Sequence, residues 1–232
     1  MSTRSDHYPA IFVTGTDTGV GKTRIATALL ANAQQQGLST AGMKPVASGC
    51  EEIDGQLCNE DALALQEQTT LDLSYEQINP VALREAIAPH IAAQHEGRTV
   101  SVSRLEGFCR AVLIRRAGLT VIEGAGGWRV PLNQSEYFSG LAQRLQLPVV
   151  LVVGVRLGCI NHAVLSAEVI RNDGLVFAGW VANHLAPDTA VAAENVSTLK
   201  SMLSAPCLGE VPFDKVATPV QTALHLSLPR LR

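Results

Sequence analysis

The sequence has no close Cys-x-x-Cys pair, no excess of positive charge, no internal repeat and no apolar run long enough to cross a bilayer. Its five cysteines (Cys50, Cys58, Cys109, Cys159 and Cys207) are scattered and odd in number. That argues against a disulfide framework and gives a metal cluster no supporting spacing, so reduced, packed thiols of a cytoplasmic protein are expected. A net charge of −3 argues against nucleic acid as a bulk electrostatic partner. The longest apolar run, Val149 to Val155, contains Gly154 and is far too short for a transmembrane helix. The segment before Ile11 is polar and lacks the apolar centre of a signal peptide, so no membrane partner is expected.

What is present suits a compact α/β protein. With 232 residues, 47% of them hydrophobic and 17% charged, the chain can bury a substantial core. Short apolar strand patterns alternate with helical ones. This predicts a doubly wound, mainly parallel sheet with helices on both faces, the P-loop NTPase type of fold. Residues 1–232 are read as a single P-loop α/β domain, with residues 1–9 as a flexible N-terminal tail.

The chain is organised around one early stretch. Ile11, Phe12 and Val13 read as a buried strand, which passes through Gly15, Gly19 and Gly21 into a helix starting near Arg24. Strand, glycine loop, Gly21-Lys22-Thr23 and helix follow one another as in a P-loop. Its main-chain amides turn inward around phosphate oxygens at a helix N-terminus. Lys22 would reach the β- and γ-phosphates, and the Thr23 hydroxyl would sit on Mg²⁺. Thr16 stands where the strict pattern has its first glycine, and Gly15 comes one residue early. A glycine turn carrying a surface lysine is the competing reading, and the flanking strand and helix weigh against it.

Further along, a short strand ends at Lys44-Pro45. In an open parallel sheet that end faces the ligand crevice, although a solvated strand-end lysine explains Lys44 as well. Residues 47–60 read as a loop. Asn59 can cap a helix whose first turn holds Asp61, and there the helix dipole alone accounts for a carboxylate. Residues 71–97 show little pattern, and His90 reads as structural. Leu105, Phe108, Cys109, Val112 and Leu113 have helical spacing. The strand ending at Glu123 has the Walker-B arrangement, which brings a carboxylate to the P-loop metal. Gly124, Ala125, Gly126 and Gly127 follow it and leave amides uncovered for an anion, or simply make a tight turn. Residues 147–154 are the clearest buried strand. They lead to Asn161, read as a helix start or an ordinary cap before a helix over residues 163–171. Another strand ends at Asn183, and the final residues show no strong pattern.

Taken together, these motifs closely resemble dethiobiotin synthetase. The likeness is carried by the stretch Gly15 to Thr23, Lys44-Pro45-Val46-Ala47-Ser48-Gly49, Glu123-Gly124-Ala125-Gly126-Gly127 and the stretch Gly154 to His162. Gly179-Trp180-Val181-Ala182-Asn183 and Gly209-Glu210-Val211-Pro212 continue it in order. The lengthened glycine loop is that family's own form. The resemblance implies an ATP- and Mg²⁺-dependent ring closure in biotin biosynthesis. 7,8-Diaminononanoate and CO2 or bicarbonate would become dethiobiotin through an amine carbamate and a carbamic–phosphoric anhydride.

Carried over by position, Lys22 and Lys44 are the implied catalytic groups, and Thr23, Asp61 and Glu123 hold Mg²⁺. Gly19, Val20, Gly21, Lys22, Thr23, Arg24, Asp61, Glu123, Gly124, Ala125 and Gly126 are implied around the ATP. Asn183, His184, Pro212, Phe213 and Asp214 are implied at its adenine edge. Thr18, Ser48, Gly126 and Gly127 would contact the diamine or its carbamate. Asn161 would clamp the distant carboxylate across a homodimer interface.

Two other readings share the P-loop. Partitioning ATPases carry a signature lysine where this chain has Asp17, and the tail Leu226-Ser227-Leu228-Pro229 does not suit a membrane-binding end. An amide-forming ligase of the cobyrinate amidase type would need a glutamine-hydrolysing half, for which this chain has no room.

Overall fold

The computed structural model describes residues 9–187 and 190–230. The expected N-terminal tail lies outside the described residues except for Pro9, whose carbonyl accepts from the Thr120 amide at 2.8 Å. The chain opens with β1 (Ala10–Gly15), in which Ile11, Phe12 and Val13 are buried, and the glycine loop leads into α1 (Lys22–Gln35). α1 begins two residues ahead of Arg24, on Gly21 at φ 87°, a backbone conformation that costs glycine nothing. β2 (Thr40–Met43) stops just before Lys44-Pro45.

Residues 47–60 are not the loop expected from their polarity. They follow on from β3 (Val46–Ser48) into a hairpin of β4 (Glu51–Ile53) and β5 (Gln56–Cys58). The hairpin turns at Asp54-Gly55, both at positive φ (51° and 80°), which is the signature of a two-residue primed turn. α2 (Glu60–Glu67) is capped by Asn59 as expected, its Oδ1 accepting from the Asp61 and Ala62 amides. The poorly patterned stretch 71–97 contains α3 (Tyr75–Ile78), β6 (Val81–Leu83) and α4 (Pro89–His95), and β6 pairs with β3 outside the main sheet. α5 (Val102–Leu113) buries Val102, Leu105, Cys109 and Val112.

β7 (Leu119–Glu123), α6 (Ser139–Leu145), β8 (Val149–Val155) and α7 (Cys159–Asn172) follow. β9 (Phe177–His184), α8 (Ala190–Met202), β10 (Cys207–Val211) and α9 (Pro219–Ala223) complete the chain. Among the described residues, six strands form one sheet in the order β10-β9-β8-β1-β7-β2, every neighbouring pair parallel. All residues of β2, β7, β8 and β9 are buried, which requires cover on both faces of the sheet. No helix among the described residues is long and apolar enough to cross a membrane.

The topology places the site. β1 is followed in sequence by β2 on one side of it, whereas β8, β9 and β10 extend the sheet on the other side. The carboxyl end of β1 is therefore a switch point, where open parallel sheets leave a crevice. Val13 pairs with Glu123 and Met43 with Ile122, so the glycine loop, Glu123 and Lys44 emerge at the same end of three adjacent strands.

Candidate active site

The glycine loop is tightly curled. A Cβ on Gly15 would lie 2.6 Å from the Val20 side chain and 3.1 Å from Lys22 Cγ. The Lys22 ammonium turns back to donate to the Asp17 carbonyl at 3.0 Å. Asp17 accepts from the Thr18 amide at 2.7 Å and from Arg156 Nη2 at 2.5 Å, so Arg156 at the end of β8 holds the outer side of the loop. The Thr18 amide, aided by the Arg156 guanidinium, keeps the Asp17 carboxyl below its usual range.

Behind the loop lies a compact charged cluster. The Lys44 ammonium donates to Asp61 Oδ2 at 2.9 Å and to Glu123 Oε1 at 2.5 Å, and the Thr23 hydroxyl donates to the same Glu123 oxygen at 2.8 Å. Burial alone pulls Lys44 down, but Glu123 and Asp61 together outweigh it and hold the ammonium above its ordinary range. Burial pushes the Glu123 carboxyl up, and Lys44 opposes that. Burial also works against the charge on Asp61, yet Lys44 holds its carboxyl below the usual range. Among the described residues no carboxylate forms an ion pair with Lys22. Burial, aided by repulsion from Lys44, lowers it to about 8.

Five residues drawn from sequence motifs far apart in the chain thus meet: Lys22, Thr23, Lys44, Asp61 and Glu123. The resemblance implies a divalent cation here, and the donor set fits one. Glu123 Oε2 is buried without a hydrogen-bond partner, beside a hydroxyl and a second carboxylate. These are hard oxygen ligands of the kind Mg²⁺ takes. Among the described residues no group of three or more His, Cys, Asp or Glu side chains is placed to hold a metal ion, so such an ion would draw its remaining ligands from phosphate and water.

The second glycine stretch faces the first. A Cβ on Gly126 (φ 58°) would come within 3.5 Å of Thr18 Oγ1, and one on Gly127 would lie 3.6 Å from the Gly15 carbonyl oxygen. Gly124 follows Glu123 directly and is buried, and its carbonyl accepts from Lys44 at 3.4 Å. Ala125 is half-buried next to it. Ser48 Oγ is buried and unpartnered at the end of β3. It is a free donor and acceptor whose main-chain carbonyl accepts from the Asn59 side chain at 3.3 Å.

At the other side of the loop, Asn183 is 2% exposed and donates through Nδ2 to the Val20 carbonyl at 2.9 Å. Arg24 Nη1 reaches Asn183 Oδ1 at 3.4 Å. Gly21 is required beneath it, since a Cβ there would lie 2.3 Å from Asn183 Nδ2. His184 is buried against Glu210 at 3.1 Å, and Glu210 also pairs with Lys200 at 3.3 Å. Pro212 and Asp214 are exposed and Phe213 is half-buried. Gly19 is exposed on the loop at φ 72°.

Asn161 does not start its helix. α7 begins at Cys159, with Gly158 at φ 89° as its N-cap, and Asn161 is the exposed third residue of the first turn with no capping hydrogen bond. Glycine in the left-handed region already supplies the turn that a capping asparagine would make.

Sequence patterns also missed the residues that hold Lys44 in place. Asn79 Nδ2 donates to the Lys44 carbonyl at 2.7 Å, and the Lys44 amide donates to the Ile78 carbonyl at 2.8 Å. The Tyr75 hydroxyl accepts from the Asn59 amide at 2.7 Å and donates to Asn79 Oδ1 at 3.1 Å, with burial raising its pKa to about 12. The signal was present in Ser74 and Gln77, a capping-box pair that opens α3 through a 2.9 Å bond from the Ser74 amide to Gln77 Oε1.

A family model described as an AAA domain matches residues 9–221. Over 219 residues the chain is 59% identical to the ATP-dependent dethiobiotin synthetase BioD of Cellvibrio japonicus, covering 94% of this chain and 96% of that protein. It is 49% identical over 202 residues to ATP-dependent dethiobiotin synthetase BioD 1 of Escherichia coli, covering 87% and 89%. Among solved structures it is similar to the septum site-determining protein MinD of Pyrococcus horikoshii (TM-score 0.56, 13% identity, 93% of each chain). A ParA family ATPase from Chlorobium tepidum has a TM-score of 0.55 at 13% identity, covering 95% of this chain and 92% of that one. At those identities the structural likeness establishes a shared P-loop fold and nothing about activity. The sequence relatives reach further, since their identity spans nearly the whole chain: this protein belongs to the ATP-dependent dethiobiotin synthetase family.

Proposed function

We propose that the protein closes the ureido ring of dethiobiotin from 7,8-diaminononanoate, CO2 and ATP, releasing ADP and phosphate. The carrying observation is the Lys44 ammonium between Asp61 and Glu123, whose carboxylate also accepts from the P-loop hydroxyl of Thr23. One amine of the diamine adds to the carbon of CO2 and loses a proton, giving a carbamate. A carbamate oxygen then attacks the γ-phosphorus as the bond to the bridging oxygen of ADP breaks, giving the carbamic–phosphoric anhydride. The second amine attacks the carbonyl carbon and loses a proton to solvent, the C–O bond to phosphate breaks with phosphate leaving, and the ring closes.

Little covalent help is needed from the protein, because a carbamate is anionic and the transferring phosphoryl group spreads its charge over three oxygens. Alignment and fixed positive charge are what accelerate such a step. Lys22 neutralises the transferring group, and Lys44 neutralises the carbamate and the anhydride that replaces it. The amides of Gly19, Val20 and Gly21 cradle the phosphates at the N-terminus of α1. Thr23, Asp61 and Glu123 would hold Mg²⁺, which when bound neutralises the β- and γ-phosphate oxygens. Thr18, Ser48, Gly126 and Gly127 line the diamine side. Arg24, Gly124, Ala125, Asn183, His184, Pro212, Phe213 and Asp214 border the nucleotide.

We place the enzyme in the cytoplasm as a homodimer, with Asn161 of each subunit directed at the substrate carboxylate in the other. Five free cysteines, four of them buried, suit a reducing compartment. Purified protein supplied with ATP, MgCl2, bicarbonate and 7,8-diaminononanoate should form dethiobiotin, read by mass spectrometry, with ADP produced only when diamine and bicarbonate are both present. ADP release that ignores the diamine, with no cyclic urea formed, would overturn the reading.

A further inference from the structure

Asp173 sits in a place that helix electrostatics disfavours. It is the C-cap of α7, where the helix dipole repels a carboxylate, so it does not serve to stabilise that helix. Both of its oxygens are engaged elsewhere. Oδ2 accepts from the Trp128 indole nitrogen at 2.8 Å, and Oδ1 accepts from Arg129 Nη2 at 2.7 Å. The Asp173 side chain is only 10% exposed and Trp128 is buried, whereas the Arg129 side chain keeps 43% of its surface in water, so the indole bond is the better shielded of the two.

The two captured residues directly follow the glycine stretch. Trp128 is 4% exposed and packs edge-on against Phe12 of β1 at 6.0 Å, and Arg129 also donates to Ser139 Oγ at 2.8 Å. Trp128 and Arg129 are thus fixed at four points, whereas Gly126 and Gly127 have no side chains with which to fix themselves. The position of these glycines against Thr18 and Gly15 is therefore set from outside the loop.

We propose that Asp173 is a positioning residue for the glycine loop. By holding Trp128 and Arg129 it sets the width of the pocket between the two glycine stretches, and so the alignment of the carbamate-bearing substrate. The substrate part of this inference rests on the function proposed above. α7 then serves two sites: Asp173 sets the glycine stretch of its own chain, while Asn161, about 18 Å away along the helix, is directed at the pocket of the other subunit.

The test uses the full chain with Asp173→Ala and Asp173→Asn, since asparagine keeps an acceptor for the Trp128 indole. In the ligand-free protein, Asp173→Ala should speed amide hydrogen exchange over residues 124–128 by about tenfold and leave β1 and α1 unchanged. With substrates, kcat/KM for the diamine should fall about tenfold or more while the ATP Kd moves by less than about twofold, and Asp173→Asn should recover most of the loss. Unchanged loop exchange in Asp173→Ala would overturn the proposal. So would equal losses of diamine and ATP affinity in both variants, which would make Asp173 a general prop of the fold. If wild-type protein forms no cyclic urea yet only the alanine variant loosens residues 124–128, the proposed function fails and the hold on the loop stands.

Discussion

The Lys44 ammonium lies 2.5 Å from Glu123 Oε1, with side-chain exposures of 6% and 1%. Among the described residues, Glu123 is left with one buried oxygen that has no hydrogen-bond partner. Burial works against the charge on such a carboxylate, and the adjacent ammonium opposes that. If Lys44 has the role proposed above, the same cation bears on stability without ligands and on the reaction with them.

Lys44→Met should therefore destabilise the ligand-free protein. Removing one member of a buried pair leaves an uncompensated charge and costs about 3 kcal/mol or more. For a chain of this size that is a fall of roughly 6 °C or more in Tm by calorimetry. Adding MgCl2 with ADP should restore more of the Tm in the variant than it adds to the wild type, because a divalent cation replaces the lost charge beside Glu123. A variant as stable as the wild type, with the same response to the metal, would show that the pair is not a source of stability.

Lys44→Gln separates binding from chemistry. If the ammonium acts on the carbamate and the anhydride, dethiobiotin formation should fall by about a hundredfold or more while the ATP Kd changes by only a few-fold. Turnover close to wild type would remove the assigned role.

Lys22 makes the pH dependence of nucleotide binding predictable. Its pKa is lowered from 10.5 to about 8 in the empty protein by burial, aided by Lys44. Between those values the unfolded chain holds the proton and the folded one releases it, so this residue's contribution to stability rises with pH across that window. Phosphate oxygens drive the pKa back up. ATP binding at pH 8 should therefore take up about half a proton, and more at pH 9. Calorimetry in two buffers of different ionisation enthalpy reads this directly, and an observed enthalpy independent of buffer at pH 8 would count against it.

Much of the site was legible because its parts are local patterns. A glycine loop between an apolar strand and a helix, an acidic strand end and an asparagine cap can each be seen within about ten residues. The parallel sheet followed from the same apolar strands. What could not be read depends on contacts across long sequence distances. Tyr75 and Asn79 support Lys44 from a stretch with no clear periodicity, and Arg156 meets Asp17 from the end of β8. Asn161 was misplaced because the helix pattern was started at Ala163, whereas Gly158 allows α7 to begin at Cys159. The final residues show no strong pattern because much of their order comes from docking on α1, although Thr218 and Gln221 form a capping box that opens α9. Asn32 Nδ2 donates to the carbonyls of Leu226 at 2.9 Å and Ala223 at 3.3 Å.

That docking yields a stability prediction remote from the chemistry. A Cβ on Gly209 would lie 2.0 Å from the His225 carbonyl oxygen, a main-chain atom held in place by the Asn32 bonds and by Ser227 donating to Leu208 at 2.8 Å. Gly209→Ala must push the tail off β10. The cost should be about 1–3 kcal/mol, as for other overpacked positions. Limited proteolysis should then cut within residues 212–230 sooner than in the wild type, and an unchanged cleavage pattern would mean that the tail adjusts freely.

Asn161 offers the sharpest test of a shared active site. It is exposed in the first turn of α7, and among the described residues no hydrogen bond ties it to the Lys44 cluster of its own chain. Asn161→Ala should weaken diamine binding more than ATP binding, because a lost amide at the substrate's far end leaves the phosphates untouched. Lys44→Gln damages the opposite end of the same reaction. If one subunit supplies Asn161 to the other's pocket, each dimer of one Asn161→Ala chain with one Lys44→Gln chain contains one site with both native residues and one with neither. Equal amounts of the two variants, unfolded and refolded together, should then regain about a quarter of wild-type activity at low diamine concentration, since random pairing makes half the two-fold dimers mixed. Activity equal to the average of the two separate variants would place both residues in one chain's pocket and remove the partner's contribution.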